Sequence, residues 1–408
     1  MAATVQDFYD RYPYPRPLED LEKYRRKWQD PLRRRADHHL LWPARRLREG
    51  LSILIAGCGT SQAAKYALRW PAAQVTGIDV SATSVKWTEH LKRTHQLDNL
   101  QVHQLPIERV GELATFDLIV CTGVLHHLSD PDAGLTALRS ALAPEGAMQL
   151  MVYAPYGRTG IYMLQDFCRR LGIRATDDDI RDLITALKAL PPAHPLTKLL
   201  REAPDFLHEG AIADALLHPQ DRAYSVPQFF DFLERGRLTF GRWLKQAAYL
   251  PQCGAVARIP QAPKLLRLDR AAQYSAVELF RGTMITHSAV VYRNDHPEIP
   301  DFSFAEEAWL EYVPVPMSDT LCVQERLPPG AAAVLIYPGH IYTDLVMPID
   351  ATELSLFSAI DGVRNIGDIV GQCLPSESRL SNVEVARRLF ERLWWYDQVV
   401  FDTVEVSR

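Results

Sequence analysis

From Leu51 onward, short apolar runs alternate with amphipathic stretches. The runs at 52–56 (SILIA), 74–79 (QVTGID), 100–103 (LQVH), 116–121 (FDLIVC) and 147–153 (AMQLMVY) read as strands, and the segments at 61–69, 83–95, 106–113 and 131–142 read as helices. Strands alternating with helices predict a parallel sheet covered on both faces, because a parallel crossover needs a helix to return the chain. Residues 1–50 are polar, aromatic and basic and predict a helical leader. From Tyr162 to about Leu233 the spacing is helical and broken at Pro191, Pro192, Pro195 and Pro204. Strand patterns return at 237–243 (RLTFGRW) and 286–293 (THSAVVYR), with a helix at 269–282 before the second. The economical reading is an α/β sheet that resumes after a helical insertion, placed at about 157–235 within a domain spanning 51–295. Residues 294–304 (NDHPEIPDFSF) form a linker pattern. Beyond it, 305–408 carries strand patterns (VLIYP, DLVMPI, QVVFDTVEV) around helices at 352–360 and 382–394, a small winged-helix-like α+β unit.

Composition narrows the class. With 408 residues, 23 % charged and 47 % hydrophobic, the chain is typical of a globular protein of two or three domains. Its 45 basic and 50 acidic residues give a net charge of −5, against a chain-wide grip on nucleic acid. Six cysteines without a CxxC pair support neither a disulfide framework nor a zinc knuckle, and fit a reducing compartment. The start lacks an export pattern and no apolar run reaches about 18 residues, so a cytoplasmic protein without membrane association is expected.

Candidate chemistry begins at 53–62 (ILIAGCGTSQ), an apolar strand running into Gly57, Cys58 and Gly59 and then a helix. Glycines let the backbone turn sharply and approach a ligand, and the helix N-terminus offers amide donors. Asp79 ends the next strand, where a carboxylate accepts hydrogen bonds from ribose hydroxyls. A dinucleotide and S-adenosylmethionine are both admissible; Gln62, where the GxGxxG fingerprint wants glycine, counts against the dinucleotide. The segment FDLIVCTGVLHHLSDP then places Thr122, Gly123, His126 and His127 at the carboxyl end of the fourth strand, the ligand edge of such sheets.

On these motifs the chain resembles the class I S-adenosylmethionine-dependent methyltransferases from about Leu51 to Tyr153, with a looser continuation to Arg293. The family's glycine motif corresponds to Gly57, Cys58 and Gly59, its ribose acid to Asp79, its strand-four motif to Asp117 through His127, and its LxPxG turn to Leu142, Pro144 and Gly146. The resemblance implies a Rossmann-like, mostly parallel sheet of seven strands whose last two, 237–243 and 286–293, form an antiparallel hairpin. It implies S-adenosylmethionine as cofactor, held by Gly57, Cys58, Gly59, Thr60, Asp79, Val80, Gln104, Leu105, Thr122 and Gly123. The family's acid before the first glycine is Ile55 here, its third glycine is Ser61, and the adenine-facing acid falls on Pro106, with Gln104, the Leu105 backbone or Glu108 as substitutes.

The leader motif FYDRYPYP resembles an element preceding the glycine turn in uncharacterised bacterial methyltransferases. Its aromatics suit either a lid that attracts a sulfonium and excludes water, or simple docking of the leader. His126, His127 and Tyr14 are the candidate catalytic groups, since an imidazole near its usual pKa of about 6.5 takes the acceptor's proton. Tyr9, Tyr153, Tyr156 and Arg158 are candidate acceptor-pocket residues, the last three following strand five at the ligand edge. His208, His218 and Asp221 match no compact metal set and read as solvated positions, as does the Arg33–Arg35 run. The expected activity is methyl transfer to oxygen or nitrogen of an unidentified acceptor, a peptide or protein side chain being preferred to a small metabolite because of the C-terminal unit. That unit suits partner recognition or a homodimer contact. An NAD-dependent oxidoreductase and a catalytically silent cofactor-binding scaffold are the alternatives.

Overall fold

The computed structural model describes residues 5–202, 204–296, 302–374 and 379–404. SILIA forms β1 (Ser52–Ala56), buried from Ile53 onward, which is why it reads as an unbroken apolar run. It pairs in parallel with β2 (Gln74–Asp79) on one side and β4 (Phe116–Thr122) on the other. β3 (Leu100–Gln104) lies parallel beyond β2, and β5 (Leu142–Tyr153) parallel beyond β4. β7 (Thr286–Arg293) runs antiparallel to β5, and β6 (Leu238–Trp243) is the outer strand, giving the order β3-β2-β1-β4-β5-β7-β6. This is the mostly parallel Rossmann-like sheet of seven strands. β5 starts five residues before the apolar run at 147, because the LxPxG turn enters it as a bulge between the Phe116–Leu142 and Leu118–Ala147 pairs.

Helices cover the sheet where caps allow them to start. Ser81 accepts the Ser84 N–H at 3.1 Å and opens the Ala82–His95 helix, and Asp130 followed by Pro131 opens Pro131–Ala141. The insertion packs its helices Thr159–Leu171, Asp177–Leu187 and Pro195–Glu202 and a π-helical turn, Ala213–Leu217, around Ile161, Leu164, Ile180, Leu183 and Leu216. Phe8 and Tyr12 of the leader complete that core.

The chain forms two compact units, and their borders correct the reading of 1–50 as one leader. The first takes residues 5–27, 49–240 and 281–296; the second takes 28–48, 241–280 and the described part of 302–404. The helix Pro31–Leu41 packs Ala36 and Leu40 against Val315 and Val400. Its arginines are neither a solvated face nor a phosphate site. Arg33 forks onto Asp319 with two bonds of 2.9 Å, and Arg35 meets Asp402 at 2.8 Å and the Gly362 carbonyl. The second unit has its own core, including Trp309, Leu335, Met347, Phe390 and Phe401. Its antiparallel sheets pair β8 (Val313–Pro316) with β12 (Val399–Asp402), and β10 (Ala333–Ile336) with both β9 (Leu321–Val323) and β11 (Val346–Ile349). Three helices, Ala351–Ser358, Ile366–Cys373 and Arg379–Trp395, accompany them. β8 and β9 escape sequence reading because VPVP and LCV are too short to show a period of two. No helix among the described residues is long and apolar enough to cross a membrane.

Candidate functional site

A cavity of about 1020 Å³ in the first unit gathers the carboxyl ends of β1, β2 and β4, the leader and the insertion. Its cofactor side begins at the glycine turn. Gly57 and Gly59 have φ of +73° and +51°, and a Cβ on Gly57 would collide with the Val124 side chain. The Gly57 and Cys58 N–H groups both donate to the Ile78 carbonyl at 2.9 Å, which ties the turn to β2. The Gly59 N–H donates to Asp79 Oδ2 at 2.8 Å and the Ser81 N–H to Oδ1 at 2.9 Å. Burial pushes the Asp79 carboxyl above its ordinary value, and these two amides oppose the shift. Gln62 donates from Nε2 to Thr122 Oγ1 at 2.7 Å, bridging the first turn to the end of β4.

Of the residues assigned to the cofactor from sequence, Gly57, Cys58, Gly59, Asp79, Val80, Leu105, Thr122 and Gly123 line the cavity. Thr60 and Gln104 do not. The Thr60 hydroxyl is spent on the Pro15 carbonyl at 2.9 Å, and Gln104 turns outward to donate to the Val80 carbonyl at 3.0 Å. Ser61, Gln62 and Lys65 take wall positions instead, and the shelf beyond β3 is Leu105, Pro106, Ile107 and Glu108. Tyr156 is 40 % exposed and lies off the wall, a strand-to-helix connector rather than a pocket residue.

The leader closes the same cavity. Asp10 accepts from the Ser81 hydroxyl at 2.8 Å and the Thr83 N–H at 3.1 Å, placing its carboxylate at the positive N-terminus of the Ala82–His95 helix. The Tyr12 hydroxyl reaches Asp177 and the Ala175 carbonyl, both at 3.0 Å. Tyr9 and Tyr14 are on the wall.

The far side is polar and buried. Asp214 Oδ1 accepts the Tyr9 hydroxyl at 2.8 Å and Oδ2 accepts the Tyr153 hydroxyl at 3.2 Å. Burial raises the Asp214 carboxyl, while the Tyr9 bond, His218 and Arg158 pull it down. The Arg158 guanidinium lies 3.4 Å from the Tyr153 ring centroid and reaches Asp221 at 3.3 Å. His127 is on the wall; its Nδ1 lies 2.7 Å from the Gln220 carbonyl, and its Nε2, 4.0 Å from Asp214 Oδ1, is buried without a hydrogen-bond partner. Burial lowers the His127 pKa, and the Gln220 carbonyl and Asp221 oppose that. His126 is fully buried behind the wall, with its ring 3.9 Å from that of Tyr153.

Sequence reasoning missed Asp214, Gln220 and the histidine beside them. His218 and Asp221 are not solvated helix positions. His218 packs 4.0 Å from His127, centroid to centroid, and the Asp221 side chain is 4 % exposed and ion-paired. The available signal was a carboxylate inside the apolar run GAIADALL, since a charge is buried only where something satisfies it. His208 merely caps, accepting the Gly210 N–H at 3.3 Å. Among the described residues no group of three or more His, Cys, Asp or Glu side chains is placed to hold a metal.

The glycine cradle that a Cβ would fill, the acid ending β2 and the apolar shelf after β3 fit a nucleoside carrying a short polar chain, as S-adenosylmethionine does. Known proteins agree. Residues 54–148 match a family model described as a methyltransferase domain. An uncharacterized Synechococcus protein is 34 % identical over 251 residues, 58 % of each chain. A ubiquinone biosynthesis O-methyltransferase of Psychrobacter cryohalolentis is 28 % identical over 134 residues, covering 32 % of this chain and 52 % of that one. The chain thus spans little more than half the length of these relatives. The structure of PKMT2 from Rickettsia typhi in complex with AdoHcy superposes with a TM-score of 0.65 over 95 % of this chain and 77 % of that one, at 15 % identity, a likeness of fold. With the glycine turn, the acid ending β2 and the sheet order in place, residues 54–148 match a methyltransferase domain and carry the Rossmann-like fold of its solved structural neighbour.

Proposed function

We propose that this chain transfers a methyl group from S-adenosylmethionine to a hydroxyl oxygen of a small, largely apolar acceptor, with His127 receiving the acceptor's proton. The observation that carries the reading is the unpartnered Nε2 of His127. Because a carbonyl only accepts, His127 Nδ1 is the protonated nitrogen facing Gln220, and Nε2 keeps its lone pair. Burial holds the imidazole below its ordinary pKa, so at pH 7 it is neutral and its Nε2 lone pair is free to accept a proton.

S-adenosylmethionine supplies a methyl carbon activated by its sulfonium. Gly57, Gly59, Asp79, Leu105 and Thr122 would hold it against the sheet edge. Ile161, Leu199, Phe206 and Ala211 form an apolar wall of the insertion that suits an acceptor body and excludes water. With S-adenosylmethionine bound, its methyl carbon would pass to the acceptor oxygen and its sulfur would leave as the neutral thioether, while His127 Nε2 takes the acceptor's O–H proton. The imidazolium then returns that proton to solvent. The sequence similarity to ubiquinone biosynthesis O-methyltransferases supports an oxygen acceptor. A peptide or protein side chain is the rival acceptor, for which the second unit, with its own core, supplies a separate surface that could bind a partner.

Calorimetry with S-adenosylmethionine, S-adenosylhomocysteine and NAD, followed by a labelled-methyl screen of hydroxylated aromatics and of peptides, tests this. Micromolar binding of the first two ligands, about −8 kcal/mol, and label in a methyl ether are expected. Label confined to protein or peptide overturns the acceptor, and binding of NAD alone overturns the cofactor.

A further inference from the structure

The loop 218–221 holds one residue, Gln220, between two imidazoles. The Gln220 N–H donates to His218 Nδ1 at 3.0 Å, and the Gln220 carbonyl accepts from His127 Nδ1 at 2.7 Å. The rings of His127 and His218 lie 4.0 Å apart, and His218 also packs on Phe8 and Tyr9 of the leader at 4.9 and 5.4 Å. Accepting at Nδ1 requires the His218 proton to sit on Nε2, a buried atom without a hydrogen-bond partner. The polar contact that His218 makes on this loop is therefore spent on the Gln220 amide.

Fixing the Gln220 N–H fixes the peptide plane that precedes the residue; its carbonyl lies in the following plane, and only the φ and ψ of Gln220 separate the two, so the bond to His218 restrains the carbonyl through that one torsion pair. That carbonyl decides which His127 nitrogen carries the proton. Without it, the neutral ring is free to place its proton on Nε2, and the lone pair then points away from the reacting oxygen. We propose that His218 is a positioning residue for methyl transfer: by accepting the Gln220 N–H it holds the Gln220 carbonyl on His127 Nδ1 and keeps His127 in the tautomer whose Nε2 is basic. This rests on His127 as the proton acceptor, yet its first consequence, the tautomer, is observable without any acceptor molecule.

Three substitutions separate the roles of His218. In His218→Asn the amide oxygen stands where Nδ1 stood and continues to accept the Gln220 N–H. In His218→Gln the acceptor moves to the place of Nε2. In His218→Phe the ring contacts survive and the acceptor is lost. Nitrogen-15 spectra of histidine-labelled full-length chain, with the His127 signal assigned by its loss in His127→Gln, report the tautomer directly. The expected pattern is a wholly Nδ1–H ring in the parent and in His218→Asn, and a mixture of tautomers in His218→Gln and His218→Phe. With the hydroxyl acceptor found in the labelled-methyl screen, kcat falls roughly 10-fold in His218→Gln and His218→Phe at unchanged KM, and stays within about 2-fold in His218→Asn. An unchanged Nδ1–H signal in His218→Gln overturns the inference, and so does equal loss of kcat in the Asn and Gln variants. Should His218→Phe fail to fold, the Asn and Gln pair still decides. Full transfer by His127→Gln would instead overturn the proposed base, whatever the spectra show.

Discussion

The cofactor side of the cavity is made of backbone turns and short-range contacts, whereas the acceptor side is made of side chains brought together from distant segments. Asp79 and Gly59, at 2.8 Å, are 20 positions apart, and Asp79 meets Ser81 two positions on. Tyr9 and Asp214, also at 2.8 Å, are 205 positions apart, and His127 meets Gln220 across 93. The first arrangement is fixed as soon as the sheet forms, because each strand delivers its terminal residues to one edge. The second exists only while leader, insertion and sheet are all in place. The cofactor site is therefore expected to survive damage that disables acceptor use.

The sharpest way to break this comparison is at Asp79. Asp79→Ala removes acceptors for two amides and for the ribose, and S-adenosylmethionine affinity should fall about 100-fold or more in calorimetry while the chain remains folded. Unchanged affinity would remove the ribose assignment. Asp214→Ala leaves the buried Tyr9 and Tyr153 hydroxyls without their acceptor, and kcat/KM for the acceptor should drop about 30-fold with cofactor affinity preserved. Parallel loss of both would mean that the two sides are one structural unit. Tyr9→Phe deletes a single hydrogen bond from the leader, and a smaller loss of roughly 5-fold in turnover is expected, with cofactor affinity again unchanged.

The smallest effect is in pH. Burial holds His126 and His127 below their ordinary values and His218 at about 4. The unfolded chain therefore binds more protons than the folded one below about pH 6.5, so stability falls as pH drops through that window toward 4. Asp214, raised by burial, titrates in the opposite sense and tempers the fall. Melting curves between pH 7.5 and 5 should shift downward by a few degrees, and hydrogen exchange should rise first in 208–222 rather than in the glycine turn. Uniform exchange across both would end the distinction.

How far the sequence foretells this structure follows the same division. All seven strands of the main sheet are legible as apolar runs, and Gly57, Gly59, Asp79, Thr122 and Gly123 are legible as the ends of those runs. Errors there are local: Ser61 takes the wall position expected of Thr60, and Gln104 turns outward while the expected Leu105 faces in, because the local turn decides which side chain faces in. The acceptor side is legible only in part. Tyr9, Tyr14, His127, Tyr153 and Arg158 announce themselves by residue type, while Asp214 lies in a π-helical turn and His218 and Gln220 in the loop after it, where no spacing rule names their partners. The leader's division has the same cause, since Arg33 and Arg35 find Asp319 and Asp402 at 286 and 367 positions' remove.

The order of the strands also bears on how the chain is born. β7 is inserted between β5 and β6, yet it is synthesised last of the seven, after the excursion 241–280 that belongs to the other unit. β5 ends at Tyr153 and β7 begins at Thr286, so at ribosomal speeds of about 5–20 residues per second the exposed edge of β5 waits roughly 7–27 s for its neighbour. An open, apolar strand edge is a template for pairing with another nascent chain. Stalled or truncated products ending between β6 and β7 are thus the species expected to aggregate, and residues 286–293 act as the clasp that makes the newborn sheet safe.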